Sequence, residues 1–87
     1  MSRSVCNILF FASLRDEVGR DAVSLALDAP VSLADLLEQL AVELSAAAMA
    51  ALRAENVRVA VNQAFLSGGE LIQPGDEVAF MPPVTGG

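Results

Sequence analysis

The distribution of apolar and polar residues near the start of the chain predicts two strands separated by a short helical turn. Residues 5–12 are rich in β-branched and aromatic side chains, which is typical of a buried strand. Residues 13–19 are polar and charged and end at Gly19, which suits a helical turn closed by glycine. Residues 22–27 alternate again, as in a strand with one buried face, and Asp28-Ala29-Pro30 signals a turn after it.

A stripe of leucines predicts the main helix. Ser32 is a good N-cap, and Asp35 occupies the capping-box position three residues after it. The leucines that follow at helical spacing are Leu33, Leu36, Leu37, Leu40 and Leu44. This face of the helix must pack on a sheet. Residues 45–54 are rich in alanine and predict a second helical stretch with little apolar bulk.

The C-terminal half of the domain reads as short strands joined by tight turns. Residues 57–61 alternate, Asn62-Gln63 predicts a tight turn, and residues 64–66 form a short return. Residues 73–76, Gln-Pro-Gly-Asp, have the proline and glycine of a type II turn. Residues 78–81 form the final strand, which Pro82 ends because proline donates no ladder hydrogen bond.

This order of elements predicts an α+β fold of the β-grasp, or ubiquitin-like, kind. A single leucine-faced helix covers one face of a mixed β-sheet, and the last strand lies next to the first. We expect a domain over residues 1–81 and a flexible Gly-Gly C-terminal tail over residues 82–87 that leaves from a well-anchored central strand. The length of 87 residues and the apolar content of 54% agree with one small domain that has an ample core.

Charge and composition exclude several classes of function. The net charge is −6, with eleven acidic residues, five arginines and no lysine, so a nucleic-acid partner is not expected. Any phosphate-bearing substrate would need a basic pocket supplied by a partner. The chain has no histidine, so the usual general base and the commonest metal ligand are absent. The one cysteine allows neither an internal disulfide nor a cysteine-cluster metal site, and we predict no metal.

The N-terminal residues superficially resemble a signal peptide. Arg3 precedes a short apolar run, but Asn7 interrupts that run and charged residues follow it at once. A first strand is the better interpretation, and no stretch approaches the length of a membrane span. We therefore expect a cytoplasmic protein with no membrane partner.

The C-terminal residues suit a role outside the fold. Pro82 and Pro83 stiffen the exit from the last strand, and Gly86 and Gly87 have no side chains. A frayed terminus is the ordinary interpretation of such an end. The alternative is a terminal carboxylate on a narrow stem that can be threaded into another protein's active site.

Segments along nearly the whole chain resemble the small subunit of molybdopterin synthase. The opening Leu9-Phe10-Phe11-Ala12, with Arg15-Asp16 and Gly19, is similar to the start of that family. Ala60-Val61-Asn62-Gln63 resembles its third-strand turn, and residues 75–87 resemble its end closely. The end is the specific part of the resemblance, and Met81 departs from it by replacing an aromatic or branched apolar residue.

The resemblance implies a sulfur carrier in molybdenum-cofactor biosynthesis. A ubiquitin-activating-type adenylyltransferase, using ATP and Mg²⁺, would adenylate the carboxylate of Gly87, and a sulfur donor would then leave a thiocarboxylate. The tail would enter the large subunit of the synthase, with two of each chain in the complex, and sulfur would pass to the cyclic pyranopterin precursor to build the dithiolene of molybdopterin. The chain would thus be a non-catalytic, sulfur-donating subunit that binds no cofactor of its own. The tail residues inserted into the partner would be Pro82, Pro83, Val84, Thr85 and Gly86.

Other residues that could carry chemistry have simpler interpretations. Cys6 lies in an apolar strand and is expected to be a buried, inert thiol rather than a sulfur relay. Asp76 and Glu77 are adjacent and point to opposite faces, which favours surface roles over an acid–base pair. Of Phe10 and Phe11, one should lie in the core and the other is a candidate for a subunit interface.

The sequence leaves the arginines and some functions undecided. Arg15 and Arg58 either pair with acidic groups or help to dock a partner, whereas Gly68-Gly69 indicates only a loop. Three alternative functions remain open: a sulfur carrier of another pathway such as thiamine biosynthesis, a ubiquitin-like protein modifier, and an interaction module with an inert tail. Because the chain has no lysine, a modifier of this sequence could not build chains of itself.

Overall fold

The computed structural model describes residues 4–82, which form one mixed sheet and a layer of helices. The predicted tail beyond Pro82 lies outside the described residues, so the predicted division between residues 1–81 and 82–87 stays a prediction. The elements, in chain order, are β1 Ser4–Phe10, α1 Ser13–Val18, β2 Ala22–Leu27, α2 Leu33–Leu40, α3 Ala46–Leu52, β3 Arg58–Val61, β4 Ala64–Phe65 and β5 Glu77–Met81.

The sheet has the strand order β2-β1-β5-β3-β4. The first and last strands are parallel neighbours, with Ile8 opposite Val78 and Phe10 opposite Phe80, and all other strand pairs are antiparallel. The predicted pairing of the last strand with the first is therefore confirmed, and so is the β-grasp arrangement. Because β5 lies in the centre of the sheet, it pairs on both sides up to Phe80, and Met81 still pairs with Arg58 of β3.

The core lies between the sheet and the helices. The inward-facing strand residues include Ile8, Phe10 and Phe80, each at most 2% exposed, and the two phenylalanine rings lie 6.0 Å apart between their centres. From α2, Leu36 and Leu40 are fully buried against these side chains. Removing several such leucine and phenylalanine side chains from water, at about 1.5–3 kcal/mol each, is the main stabilising contribution to a domain of this size.

Both predicted helices form, and each begins at a serine. The Ser32 hydroxyl accepts a hydrogen bond from the Asp35 N–H at 3.1 Å, and the Ser45 hydroxyl accepts one from the Ala48 N–H at 3.0 Å. The extended backbone of Ser45, which caps α3, prevents α2 and α3 from being one helix. Leu44, predicted to lie on the helical stripe, consequently falls beyond the end of α2, in the turn before α3, and still packs against the core.

One prediction about β1 is wrong. The strand was expected to be buried, yet only its alternate residues Cys6, Ile8 and Phe10 are buried, while Val5 is 40% exposed. The helices cover one face of the sheet, so the other face of a central strand remains open to solvent. The predicted alternation of β2 is confirmed, since Val23, Leu25 and Leu27 are buried and the residues between them are exposed.

The turns take the predicted conformations, and one of them is tied to β5. Asn62 and Gln63 have φ angles of 51° and 71°, the conformation that lets a two-residue hairpin follow the twist of its strands. The Asn62 amide donates to an Asp76 carboxylate oxygen at 2.9 Å and accepts the Glu77 N–H at 3.0 Å. This side-chain bridge joins the β3–β4 hairpin to the first residue of β5.

Candidate functional site

The described part of the predicted site is the point where the chain leaves β5. Phe80 is buried, its carbonyl accepts the Phe11 N–H at 3.1 Å, and Met81 pairs with Arg58. Pro82 follows and is half-buried. The remaining predicted site residues lie outside the described residues, and these are Pro83, Val84, Thr85, Gly86 and Gly87. The structure therefore defines the base from which the tail departs: a central strand held on both sides.

An apolar row crosses the sheet on the face that turns away from the helices. Leu9 lies opposite Ala79, Ala79 lies opposite Ala60, and Ala60 lies opposite Phe65. On the other side, Leu9 lies opposite Ala22, so the row extends over all five strands. We call these five residues the outer apolar row. Phe65 closes the row at the sheet edge and is 55% exposed, whereas Ala60 beside it is only 5% exposed.

A second, shorter group of side chains lies between the outer apolar row and the chain exit. Phe11 directly follows β1 and is 45% exposed, in contrast to the buried Phe10 before it. Met81 is half-buried beside Arg58, and the Arg58 guanidinium carbon lies 4.5 Å from the centre of the Phe65 ring. The apolar surface of the sheet therefore extends towards the point where the chain leaves β5.

A polar row borders the outer apolar row on the side away from Pro82. Ser24 lies opposite Asn7, and Asn7 lies opposite Glu77. At the far end of the face Val5 lies opposite Ala26 and is 40% exposed, so the polar row separates two apolar areas. A single exposed hydrophobic residue needs no explanation, but a contiguous apolar surface with a polar border is typical of a protein–protein contact.

The remaining candidates for chemistry are accounted for by structure. Cys6 is fully buried, its thiol lies 3.3 Å from the Gln73 carbonyl oxygen, and burial raises the pKa of the thiol, so the predicted inert role fits the geometry. Asp76 accepts hydrogen bonds from the Asn62 amide and from the Gln73 N–H at 2.8 Å, which makes it a turn residue. Its carboxylate is committed to these bonds, in agreement with the predicted surface role.

A groove of about 480 Å³ lies between the start of α2, the start of β3 and the loop 66–70. The carboxylate of Glu70 lines it and accepts hydrogen bonds from the Ser67 hydroxyl at 2.8 Å and from the Gly68 N–H at 2.7 Å. The Ser67 hydroxyl is the main reason that the pKa of Glu70 is lowered to about 2. Glu70 therefore holds the loop together. Among residues 4–82 no cluster of acidic, histidine or cysteine side chains could hold a metal ion.

None of the helices within residues 4–82 has the length and apolar character needed to span a membrane.

Reasoning from the sequence missed the outer apolar row. Leu9, Ala60 and Ala79 belong to different strands and are far apart in the chain. The alternation within each strand shows that these residues point outward, but their alignment depends on the register between strands. The available signal in the sequence was that Leu9 and Ala79, which directly precede Phe10 and Phe80 and point to the opposite face, are themselves apolar.

Comparison with known proteins finds two bacterial relatives that are named as sulfur carrier subunits. It is 44% identical over 80 residues to the molybdopterin synthase sulfur carrier subunit of Escherichia coli, covering 92% of this chain and 96% of that protein. The protein of the same name from Haemophilus influenzae is 41% identical over 81 residues, covering 93% of this chain and 98% of that protein.

A solved structure confirms the ubiquitin-like fold. SAMP1, a small archaeal modifier protein from Haloferax volcanii, matches with a TM-score of 0.73 at 26% identity, covering 95% of this chain and 99% of that one. A family model described as the ThiS family matches residues 8–87. The chain therefore belongs to the ThiS family and has the β-grasp fold.

Proposed function

We propose that this chain is the sulfur carrier subunit of a molybdopterin synthase. Support comes from the two bacterial relatives of that name, which align over almost their whole length at more than 40% identity. The structural observation that carries the proposal is the exit of the chain from the central strand β5, beside the outer apolar row. A carrier needs a rigid base for its tail and a surface by which the partner orients that tail.

In this proposal the reactive group is the carboxylate of Gly87. A ubiquitin-activating-type enzyme adenylates it with ATP and Mg²⁺, and a sulfur donor displaces AMP to leave a thiocarboxylate. Adenylation is needed because a carboxylate reacts poorly with a nucleophile until it carries a good leaving group. Residues 84–87 reach about 14 Å when extended, enough to enter a pocket of the partner.

The large subunit binds the outer apolar row and the exposed Phe11 in this proposal. A partner at this surface covers apolar area close to Pro82 and thereby aims the tail into its own active site. The large subunit also supplies the basic pocket for the pyranopterin precursor, because this chain has a net charge of −6 and no lysine or histidine. We further propose a complex of two of each chain, located in the cytoplasm.

Intact mass spectrometry tests the chemistry. The purified chain is incubated with the activating enzyme, ATP, Mg²⁺ and a sulfur donor, and we expect the mass change of one oxygen replaced by one sulfur. Deletion of Gly86-Gly87 should abolish this change and synthase activity without altering the thermal melt. Gly86→Val should impair activation, because a branched side chain is placed where a narrow channel accepts glycine. Near wild-type synthase activity of the truncated chain would refute the proposal.

The similarity of fold to SAMP1 keeps a second candidate, a protein modifier, in view. The same incubation separates the two functions when target proteins are present. A modifier becomes covalently linked to lysines of other proteins, whereas a carrier gains sulfur and remains a free chain. A carrier for another pathway, such as thiamine biosynthesis, would gain sulfur but fail to support synthesis of molybdopterin with the large subunit.

A further inference from the structure

Arg58 occupies an unusual place on the outer face of the sheet. Among the strand residues of the described chain that turn away from the helices, it is the one positive charge. Arg53, on the helix layer, forms an ion pair with Glu38 at 3.3 Å, but within residues 4–82 no carboxylate lies within 4.0 Å of the Arg58 guanidinium. In a chain with eleven acidic residues, this cation lies next to an aromatic ring instead.

The Phe65 ring orients the Arg58 guanidinium. The guanidinium carbon lies 4.5 Å from the ring centre, within the range of a cation–π contact. A guanidinium that stacks on a ring keeps the N–H donors at its edge free to bind a planar acceptor. Held in this way, the side chain has less freedom to lose when it binds a carboxylate with two parallel hydrogen bonds.

Covering the outer apolar row also removes water from Arg58. Phe65 is the end of the row and more than half exposed, and Arg58 lies over its ring. A partner that buries this ring therefore displaces the water that solvates the guanidinium. Burying an unpaired charge is strongly unfavourable, so a partner that fits this surface must supply an acceptor for it.

We propose that Arg58 determines specificity in docking by binding a carboxylate of the large synthase subunit inside the contact that buries Phe65. The inference rests on the proposed function, and it names the chemistry of the partner surface: an apolar area with an Asp or Glu facing Arg58. The substrate's own anionic groups are a poor alternative acceptor. Arg58 lies beside Met81 at the base of the tail, whereas residues 83–87 place Gly87 as much as about 17 Å away when extended.

Binding kinetics with the large subunit test this assignment. We compare the wild-type chain with Arg58→Leu, Arg58→Lys and Arg58→Glu, and use Arg53→Leu as the matched control because Arg53 lies on the helix layer. Arg58→Leu should raise Kd by about 30-fold or more, mainly through faster dissociation, since it leaves the facing carboxylate buried and unpaired. The Kd of Arg58→Lys should lie between the Kd values of Arg58→Leu and the wild-type chain, and Arg58→Glu should bind most weakly. The Kd of Arg53→Leu should stay within about twofold of the wild-type value.

The outcomes separate the two proposals. If the wild-type chain does not bind the large subunit, the proposed function and the role of Arg58 both fail. If wild type binds and Arg58→Leu binds equally well, the carrier function stands and the role of Arg58 fails. If Arg58→Leu loses affinity only through slower association, and high salt removes the difference, Arg58 is a solvent-exposed charge at the rim and the assignment is overturned. The assignment is also overturned if Arg58→Leu weakens binding to the activating enzyme but not to the large subunit.

A charge reversal in the partner gives an independent test. Each Asp and Glu on the surface of the large subunit is changed to Arg and measured against Arg58→Glu. One reversal should restore binding of Arg58→Glu and weaken binding of the wild-type chain. Thermal melts of every variant establish that the chain remains folded, which is expected because Arg58 is exposed in the free protein.

Discussion

Phe65 is the residue at which the proposed docking surface can be tested most directly. It is 55% exposed in the free chain, so a partner that covers it buries about half of its side chain. Full burial of a phenylalanine is worth about 1.5–3 kcal/mol, and half of that is about 0.8–1.5 kcal/mol. Phe65→Ala should therefore raise Kd for the large subunit by about four- to twelve-fold.

The same substitution should leave the chain folded. The covered part of Phe65 and its contact with Arg58 together contribute about 1–2 kcal/mol to the free energy of unfolding, a modest share of the usual stability of a domain. Titration calorimetry measures Kd, and a thermal melt measures stability in the same buffer. These two measurements distinguish a lost contact from a lost fold.

Val42→Ala is the control for general surface hydrophobicity. Val42 is 86% exposed and follows α2, on the side of the helices, where the proposal places no partner. Its substitution should leave Kd within about twofold of wild type. The reasoning is refuted if folded Phe65→Ala binds as tightly as wild type, or if Val42→Ala weakens binding to the same extent.

Three further predictions concern the rest of the domain. Cys6→Ser should keep sulfur transfer intact. It should lower the free energy of unfolding by about 1–2 kcal/mol, because a hydroxyl replaces a buried thiol next to the Gln73 carbonyl. A folded Cys6→Ser chain that fails to transfer sulfur would contradict this. The lowered pKa of Glu70, about 2 against an ordinary 4.5, means that its stabilising contribution is complete above pH 4.5 and disappears as the pH falls to about 2. Glu70→Gln should therefore be less stable than wild type near neutral pH and equal to it near pH 2 in denaturant titrations, and a difference that persists in acid would argue against this account. Gln63→Gly should raise the free energy of unfolding by about 0.5–1 kcal/mol, because Gln63 has a φ angle of 71° that glycine adopts without strain. A lowered melting temperature would contradict this and would show that the Gln63 side chain contributes a stabilising contact.

Local patterns in the sequence were sufficient to predict the elements, because each depends on neighbours in the chain. Ser32 and Ser45 cap their helices through N–H groups three residues ahead, and Gly75 permits the positive φ of its turn. The alternation of β2 likewise follows from its own residues. The assignment of the sulfur carrier function depended on the similarity of residues 75–87 to a known family, and the proposed chemistry of Gly87 still depends on it.

The tertiary structure decided which side chains act together. Arg58 and Phe65 are on different strands, and only the β3–β4 hairpin brings the guanidinium over the ring. Leu9 and Ala79 meet because β1 and β5 pair in parallel, with a register that no local pattern specifies. Shifting that register by one residue would turn every outward side chain of a strand inward, so the outer apolar row exists only in the assembled sheet. Neighbouring residues along the chain therefore fix the helices, strands and turns, whereas long-range strand pairing fixes the surface beside the point where the chain leaves β5.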